Sequence, residues 1–331
     1  MPDGDAPRPV VIDTDGGVDD AAALWWALTD ARLDVVAITI VWGNVDLDTA
    51  AGAVLRVLAA AGRTDIPVAL GEAGPIGPAP DLRPATFIHG DDGLGNAGYA
   101  LAAGIAPVDE AATDLLRRIV YGRPGEVSLV TIGPLSTIGA LVRDDPSFAA
   151  DVAELVVMGG SARRGGNALP AGEANIAHDP MAAHHVVNAA WPSPPLLVGL
   201  DVTYQATLTD VEFALLAEHR SAAATFLDQP LRFYRQFGST MTAPECPCHD
   251  LLAVMALVEP EVIPDAPILP LGIDTAGGAA WGSTVVDFRA PFFAKLDGAD
   301  QNRPEGFADW RIGLGADAAR FRANVHTLFG G

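Results

Sequence analysis

The sequence predicts an α/β fold: an open, mostly parallel sheet with helices on both faces, Rossmann-like in arrangement. Two observations carry this. Short runs of Val, Ile and Leu recur that are apolar at every position, the pattern of strands buried on both sheet faces. Most are followed by a longer Ala- or Leu-rich helical stretch, and strands alternating with helices argue for a parallel sheet. Right-handed crossovers then gather the strand C-termini on one rim, where ligands bind in such sheets.

The elements follow in order. Val10, Val11 and Ile12 make the first strand, and residues 21–28 the helix after it. Strands at 35–41 and 66–70 flank a helix at 49–61. A helix at 111–120 leads to a strand at 127–132, then a helix at 135–142 and a strand at 155–158. A helix at 181–190 and a strand at 196–200 close the alternating part. Residues 210–237 read as helices without strands and suggest a helical cap over the rim, near 210–245. Two apolar runs within 267–288 suggest a hairpin at the sheet edge. No internal repeat or composition shift divides the chain, so residues 1–331 are read as one domain.

Lys and Arg number 20 against 42 Asp and Glu, a formal charge of -22. Such a surface repels phosphate backbones and anionic lipid, which argues against a nucleic-acid polymer or a membrane as partner. A small neutral substrate meets no such barrier, and a divalent cation is attracted. Cys246 and Cys248 sit one residue apart with no second pair, which fits neither a structural zinc site nor a disulfide framework. No uninterrupted apolar run has membrane-spanning length, and residues 1–9 lack the basic-then-apolar pattern of a secretory signal. A cytoplasmic location is the expectation.

The chemistry concentrates in Asp13-Thr14-Asp15-Gly16-Gly17-Val18-Asp19-Asp20. Asp13 and Asp15 end an apolar strand, Gly16 and Gly17 turn the chain, and Asp19 and Asp20 open a helix. Helix capping explains Asp19 and Asp20 alone. It does not explain the other two. Carboxylates converging on one rim repel strongly at low dielectric, and a hard cation relieves them. Calcium takes six to eight oxygens; magnesium prefers fewer protein ligands. An Asp-x-Asp phosphatase with Asp13 as nucleophile is a rival, weakened by Gly17 at its fifth position and by the acidic rim.

Further segments follow in a recognisable order: Gly43-Asn44, Ile88-His89-Gly90 before Asp91-Asp92-Gly93-Leu94, and Ile132-Gly133-Pro134-Leu135. Met158-Gly159-Gly160, Gly166-Asn167, Glu173-Ala174-Asn175 and Asp179-Pro180 come next. Gly199-Leu200-Asp201-Val202-Thr203 and His249-Asp250 complete the set. Together with the acidic run, this series resembles the inosine–uridine-type nucleoside hydrolase family, whose opening motif is Asp-Thr-Asp-Pro-Gly-x-Asp-Asp.

The resemblance implies an N-glycosyl hydrolase that splits ribonucleosides into ribose and free base. Calcium would be held by Asp15, Asp20, Asp250 and the backbone carbonyl of Ile132. Asp15 would take a proton from the metal-bound water, whose pKa the cation lowers. Asp19 and Asn175 would bind ribose hydroxyls, Asn167 and Glu173 the 5′-hydroxyl, and Asn44 would line the sugar site. His249 would face the leaving base with His89 near it, and Asp13 would stand behind the metal ligands. A homodimer or homotetramer is implied as well.

Two departures matter. Gly16 replaces the family proline, which loosens the turn in the unfolded chain, while glycine reaches every conformation proline can. Ala174 stands where the family often has phenylalanine, removing an apolar wall from the pocket. The base contacts should come from residues 212–245, with Phe233, Tyr234 and Phe237 candidates for stacking or equally for core packing. Trp25, Trp26 and Trp42 are read as packing. Two further readings stay open: a hydrolase of a modified nucleoside or other N-riboside, and a non-catalytic calcium-dependent nucleoside-binding protein.

Overall fold

Val10, Val11 and Ile12 are fully buried in β1 (Arg8–Thr14), the strand around which the sheet is laid. The computed structural model describes residues 6–241, 246–290 and 303–330. After β1 come α1 (Val18–Thr29), β2 (Leu33–Ile40), α2 (Leu47–Ala61) and β3 (Val68–Leu70). Next are α3 (Thr86–His89), α4 (Ala112–Gly122), β4 (Ser128–Thr131), α5 (Ser136–Asp144) and β5 (Leu155–Met158). Then follow α6 (Ala174–His178), α7 (Pro180–Val187), β6 (Leu196–Val198), α8 (Leu200–Thr203) and β7 (Thr207–Leu208). The last group is α9 (Asp210–Glu218), α10 (Ala222–Met241), β8 (Cys246–Pro247), α11 (His249–Val258), β9 (Ile268–Ile273), β10 (Thr284–Val286), β11 (Ala308–Ile312) and α12 (Ala318–Gly330).

Among the described residues the main sheet has the order β10-β9-β11-β6-β5-β4-β1-β2-β3. β1 pairs in parallel with β2 and β4, and the parallel pairing runs on through β5, β6 and β11. Only β9 runs against its neighbours. The sheet is therefore mostly parallel with helices on both faces, as the alternating pattern predicts. The expected hairpin is β9 with β10, and β10 is the sheet edge.

Strand alternation splits the core. Val10 and Ile12 pack on one side with α1, α2 and α11, while Val11 packs on the other with α4, α5 and α7. Trp25 and Trp26 belong to the first core, and Trp42 donates from Nε1 to Ser136 Oγ at 3.1 Å. The three tryptophans are packing residues, as read. Both cysteines are buried thiols. No helix among the described residues is long and apolar enough to cross a membrane.

Boundaries differ where local chemistry intervenes. The strand expected over 196–200 stops at Val198, because Gly199 caps α8. Residues 210–237 are helical as expected, and α10 packs against α1, α2 and α3 at the rim. The end of the expected cap, 242–245, lies outside the described residues. Sequence reading missed β11 and α12. β11 buries only Trp310 and Ile312, too short an alternation to stand out.

Trp310 is 1 % exposed and donates from Nε1 to the Val187 carbonyl at 3.1 Å, joining β11 to α7. Trp310→Ala should cost about 3–5 kcal/mol of stability in urea unfolding, the usual range for emptying a buried aromatic site. A loss below about 1 kcal/mol would show that this edge is not part of the cooperative core.

Candidate active site

The turn after β1 is built for close approach. Gly16 has φ +73, and a Cβ there would meet the Ala50 Cα at 2.6 Å. At Gly43, beyond β2, a Cβ would meet Asp15 Oδ2 at 2.1 Å. Both positions require glycine, the first for its left-handed backbone as well. The conformation at Gly16 is outside the reach of proline, whose φ is held near about −65°. The exchange at this position therefore does more than loosen the turn.

The turn delivers its carboxylates to one place. Asp20 Oδ1 accepts from Thr14 Oγ1 at 2.5 Å and Oδ2 from the Gly17 N–H at 2.8 Å, so Asp20 does cap its own helix. Asn44 donates its backbone N–H to Asp15 Oδ2 at 2.8 Å and its Nδ2 to Asp15 Oδ1 at 3.0 Å. The same Nδ2 lies 3.2 Å from Asp20 Oδ2. α11 brings in Asp250 at its first turn. Asp19, Asp20 and Asp250 each place an oxygen within 4.8 Å of the others.

All four of these aspartates are buried. Burial, then the charge of Asp20, pushes the Asp15 carboxyl well up; the same two causes bring Asp19 to about 7. Asp250 is raised by burial and then by Asp19, Asp20 and Asp15. Among the described residues no arginine or lysine is ion-paired with any of them; the nearest basic side chain is the neutral His89, 3.9 Å from Asp19. Buried, mutually repelling and rich in hard oxygen donors, the cluster fits calcium or magnesium. Its tightest oxygen triad contains Asp19, where the resemblance assigned Asp15. Both Asp15 oxygens face Asn44, with Asp20 alongside.

Asp13 stands apart. It lies on β1 opposite Thr39 and accepts from Thr39 Oγ1 at 2.5 Å, while its Oδ2 has no partner among the described residues. Burial raises it to about 7, with the Thr39 bond opposing.

A cavity of about 320 Å³ opens above the cluster. Asp19, Asn44, His89, Ile132, Asn167, Glu173, Asn175, His249 and Asp250 all line it, so the predicted residues from both halves of the chain meet here. Asp15 and Asp20 are not on its wall and reach it through Asn44. Glu173 caps α6: Oε1 accepts from the Asn175 N–H at 3.1 Å, Oε2 from Gly160 at 2.8 Å and Ile176 at 3.2 Å. Asn167 Oδ1 accepts from the Ala174 N–H at 2.9 Å. Asn175 spends its Nδ2 on the Ile132 carbonyl, 3.0 Å, and the Met158 carbonyl, 3.2 Å, so its donor faces the protein.

The two histidines are neutral. Burial lowers both to about 4. His89 Nδ1 accepts the Val18 N–H at 3.1 Å, which leaves the proton on Nε2. His249 Nδ1 is 2.7 Å from Thr203 Oγ1, and its ring stands edge-on to Tyr204. Tyr234 and Phe237 line the cavity, and Phe233 instead packs against Phe237. The Tyr234 hydroxyl lies 3.4 Å from Asp19 Oδ2. Sequence reading missed Phe87, Tyr204 and His178. Their signals were weak: Phe87 is two residues before His89, Tyr204 follows Thr203, and His178 is one helical turn past Ala174.

Residues 10–323 match the family model of the inosine-uridine preferring nucleoside hydrolases. The chain belongs to that family. This nucleoside hydrolase is 36% identical to the non-specific ribonucleoside hydrolase RihC of Salmonella agona over 321 residues, 97% of each chain. It is 34% identical to the inosine-uridine preferring nucleoside hydrolase of Leishmania major, covering 86% of this chain and 89% of that one. A solved plant nucleoside hydrolase, the PpNRh1 enzyme, superposes with a TM-score of 0.88 at 31% identity, covering 98% and 99%. The chain is thus an N-glycosyl hydrolase.

Gly16→Pro should destabilise this hydrolase by more than about 1 kcal/mol, because the native φ is incompatible with the ring. It should also lower turnover, because the turn carries the carboxylates. Thermal unfolding and steady-state rates check both. A variant as stable and active as the parent would mean that the turn does not need its left-handed residue.

Proposed function

We propose that this nucleoside hydrolase cleaves ribonucleosides to ribose and free base with a calcium ion held by Asp15, Asp20, Asp250 and the Ile132 carbonyl. The supporting observation is the set of buried, uncompensated carboxylates at a cavity that also holds two neutral histidines. When bound, calcium supplies positive charge that offsets the cluster and lowers the pKa of an attacking water. Asp15, oriented by Asn44, takes the proton of that water as its oxygen bonds to C1′ and the C1′–N bond breaks. Asp19 lies on the cavity wall, where its carboxylate binds ribose hydroxyls and stabilises the oxocarbenium-like sugar. Asn175, whose Nδ2 is spent on backbone carbonyls, would offer its amide oxygen to the same hydroxyls.

The leaving base takes the electron pair. His89, with its proton on Nε2, donates a hydrogen bond toward it, and His249, braced by Thr203, faces it as well. Tyr234 and Phe237 supply an aromatic wall for the base. The relatives' names span uridine, inosine and purine preference. A second reading, a modified nucleoside or other N-riboside as substrate, is favoured by Ala174, which lines the cavity with only a methyl group.

A panel of purine and pyrimidine ribonucleosides, assayed for reducing sugar with and without a chelator, tests the proposal. Ribose should appear from at least one nucleoside, chelation should abolish it, and Asp15→Ala should lower kcat by at least about a hundredfold. No ribose from any nucleoside sinks the substrate class. Turnover that survives complete chelation sinks the cation, and a near-parental Asp15→Ala sinks the base assignment.

A further inference from the structure

Thr203 closes α8, and His249 opens α11. The antiparallel pair of β7 and β8 joins the two places, with Thr207 opposite Pro247. Thr203 stands four residues before that pair and His249 two after it, so the pairing sets their separation. Thr203 is fully buried, and its backbone N–H donates to the Gly199 carbonyl at 3.1 Å. Its hydroxyl makes one hydrogen bond among the described residues, the 2.7 Å contact of Oγ1 with His249 Nδ1.

A threonine hydroxyl can donate or accept, and a neutral imidazole nitrogen does one or the other according to its tautomer. The surroundings decide between the two arrangements. With the ring proton on Nδ1, Oγ1 would accept it, and the buried hydroxyl would have no acceptor for its own proton. A buried donor left unmade carries its full desolvation cost. Donation from Oγ1 to a bare Nδ1 satisfies both atoms and puts the ring proton on Nε2. That nitrogen has no hydrogen-bond partner among the described residues, yet it is not closed off from solvent as the buried unpartnered atoms are. It therefore reaches open space, and the open space beside His249 is the cavity that the ring lines. Tyr204 stands edge-on to the ring at a centroid distance of 5.3 Å and limits its rotation.

The chemistry at that place asks for a donor. As the C1′–N bond breaks, its electron pair goes to the base, and a bare Nε2 facing it would repel the growing charge. An N–H there binds more strongly as the charge grows, which lowers the barrier as well as the energy of the bound substrate. His89 is held in the same tautomer by a backbone donor, the Val18 N–H.

We propose that Thr203 is a positioning residue for the leaving base: its hydroxyl keeps the proton of His249 on Nε2 and holds that N–H toward the cavity. The inference rests on the reading that His249 faces the base of a ribonucleoside.

Two measurements test it. In the intact protein, the ¹⁵N signals of the His249 ring should show Nε2 protonated and Nδ1 bare. A proton on Nδ1 overturns the proposal whatever the substrate proves to be. The second compares a ribonucleoside that the parent cleaves with nitrophenyl riboside, whose leaving group departs without help from a donor. Thr203→Val keeps the side-chain shape and removes the hydroxyl. It should lower kcat on the ribonucleoside about tenfold, as loss of one aligned hydrogen bond in the transition state allows, and change the nitrophenyl rate by less than about twofold. Thr203→Ser, which restores the donor, should recover most of the loss. An equal loss on both substrates, or none on either, overturns the role of Thr203 while leaving that of His249 intact. His249→Ala with parental turnover of the ribonucleoside overturns the reading that His249 serves the base, and the proposal falls with it. A parent protein that cleaves no ribonucleoside overturns both. Where the Val variant does not fold, the ring signals of the parent decide.

Discussion

Mutual repulsion among Asp15, Asp19, Asp20 and Asp250 is the constraint on which the rest of the site depends. Oxygens of three of them lie within 4.8 Å of one another, in a buried setting. At an effective dielectric of about 20, each such pair of full charges repels by about 3–4 kcal/mol. The chain supplies only partial relief: the N–H groups and hydroxyl of the β1–α1 turn, the Asn44 amide and, for Asp19, the backbone N–H groups of His249 and Asp250. The rise of three of these carboxyl groups above their ordinary range is the same strain expressed as proton affinity. A divalent cation bound there would remove it without a proton and would keep the carboxylates ionised.

The parallel sheet is what makes this concentration of charge possible. β1 lies inside the sheet between β2 and β4, so its C-terminal end sits where three crossovers open onto one rim. The turn at Gly16 and Gly17 sends Asp19 and Asp20 back over the strand end, Gly43 lets Asp15 and Asn44 approach, and α11 arrives with His249 and Asp250. Val10, Val11 and Ile12 anchor the strand in both cores, so the carboxylates are held by a frame that does not yield to their repulsion.

Much of this was legible in the sequence, for physical reasons. The strand at 155–158 matches β5, and β1, β2 and their helices stand out because strands buried on both faces are apolar throughout. β11 was hidden because an edge-side strand with Asp309 and Arg311 facing outward offers only two buried positions. The acidic run announced a cation by its density of charge. Nothing local ties His249 and Asp250 to it, more than two hundred residues on; only the family pattern did. Hydrogen-bond direction was beyond reach: that Asn175 turns its amide to Ile132 depends on a backbone carbonyl that no side-chain pattern encodes.

The most direct measurement is thermal unfolding of the intact protein as a function of free calcium. A cation that binds the folded cluster and not the unfolded chain stabilises by an amount that grows with the logarithm of its concentration, about 2.7 kcal/mol at one hundred times Kd. The account predicts a Tm that climbs with calcium, falls again with a chelator, and loses most of this dependence in Asp20→Asn. A Tm indifferent to calcium and to chelation in the parent protein would contradict it.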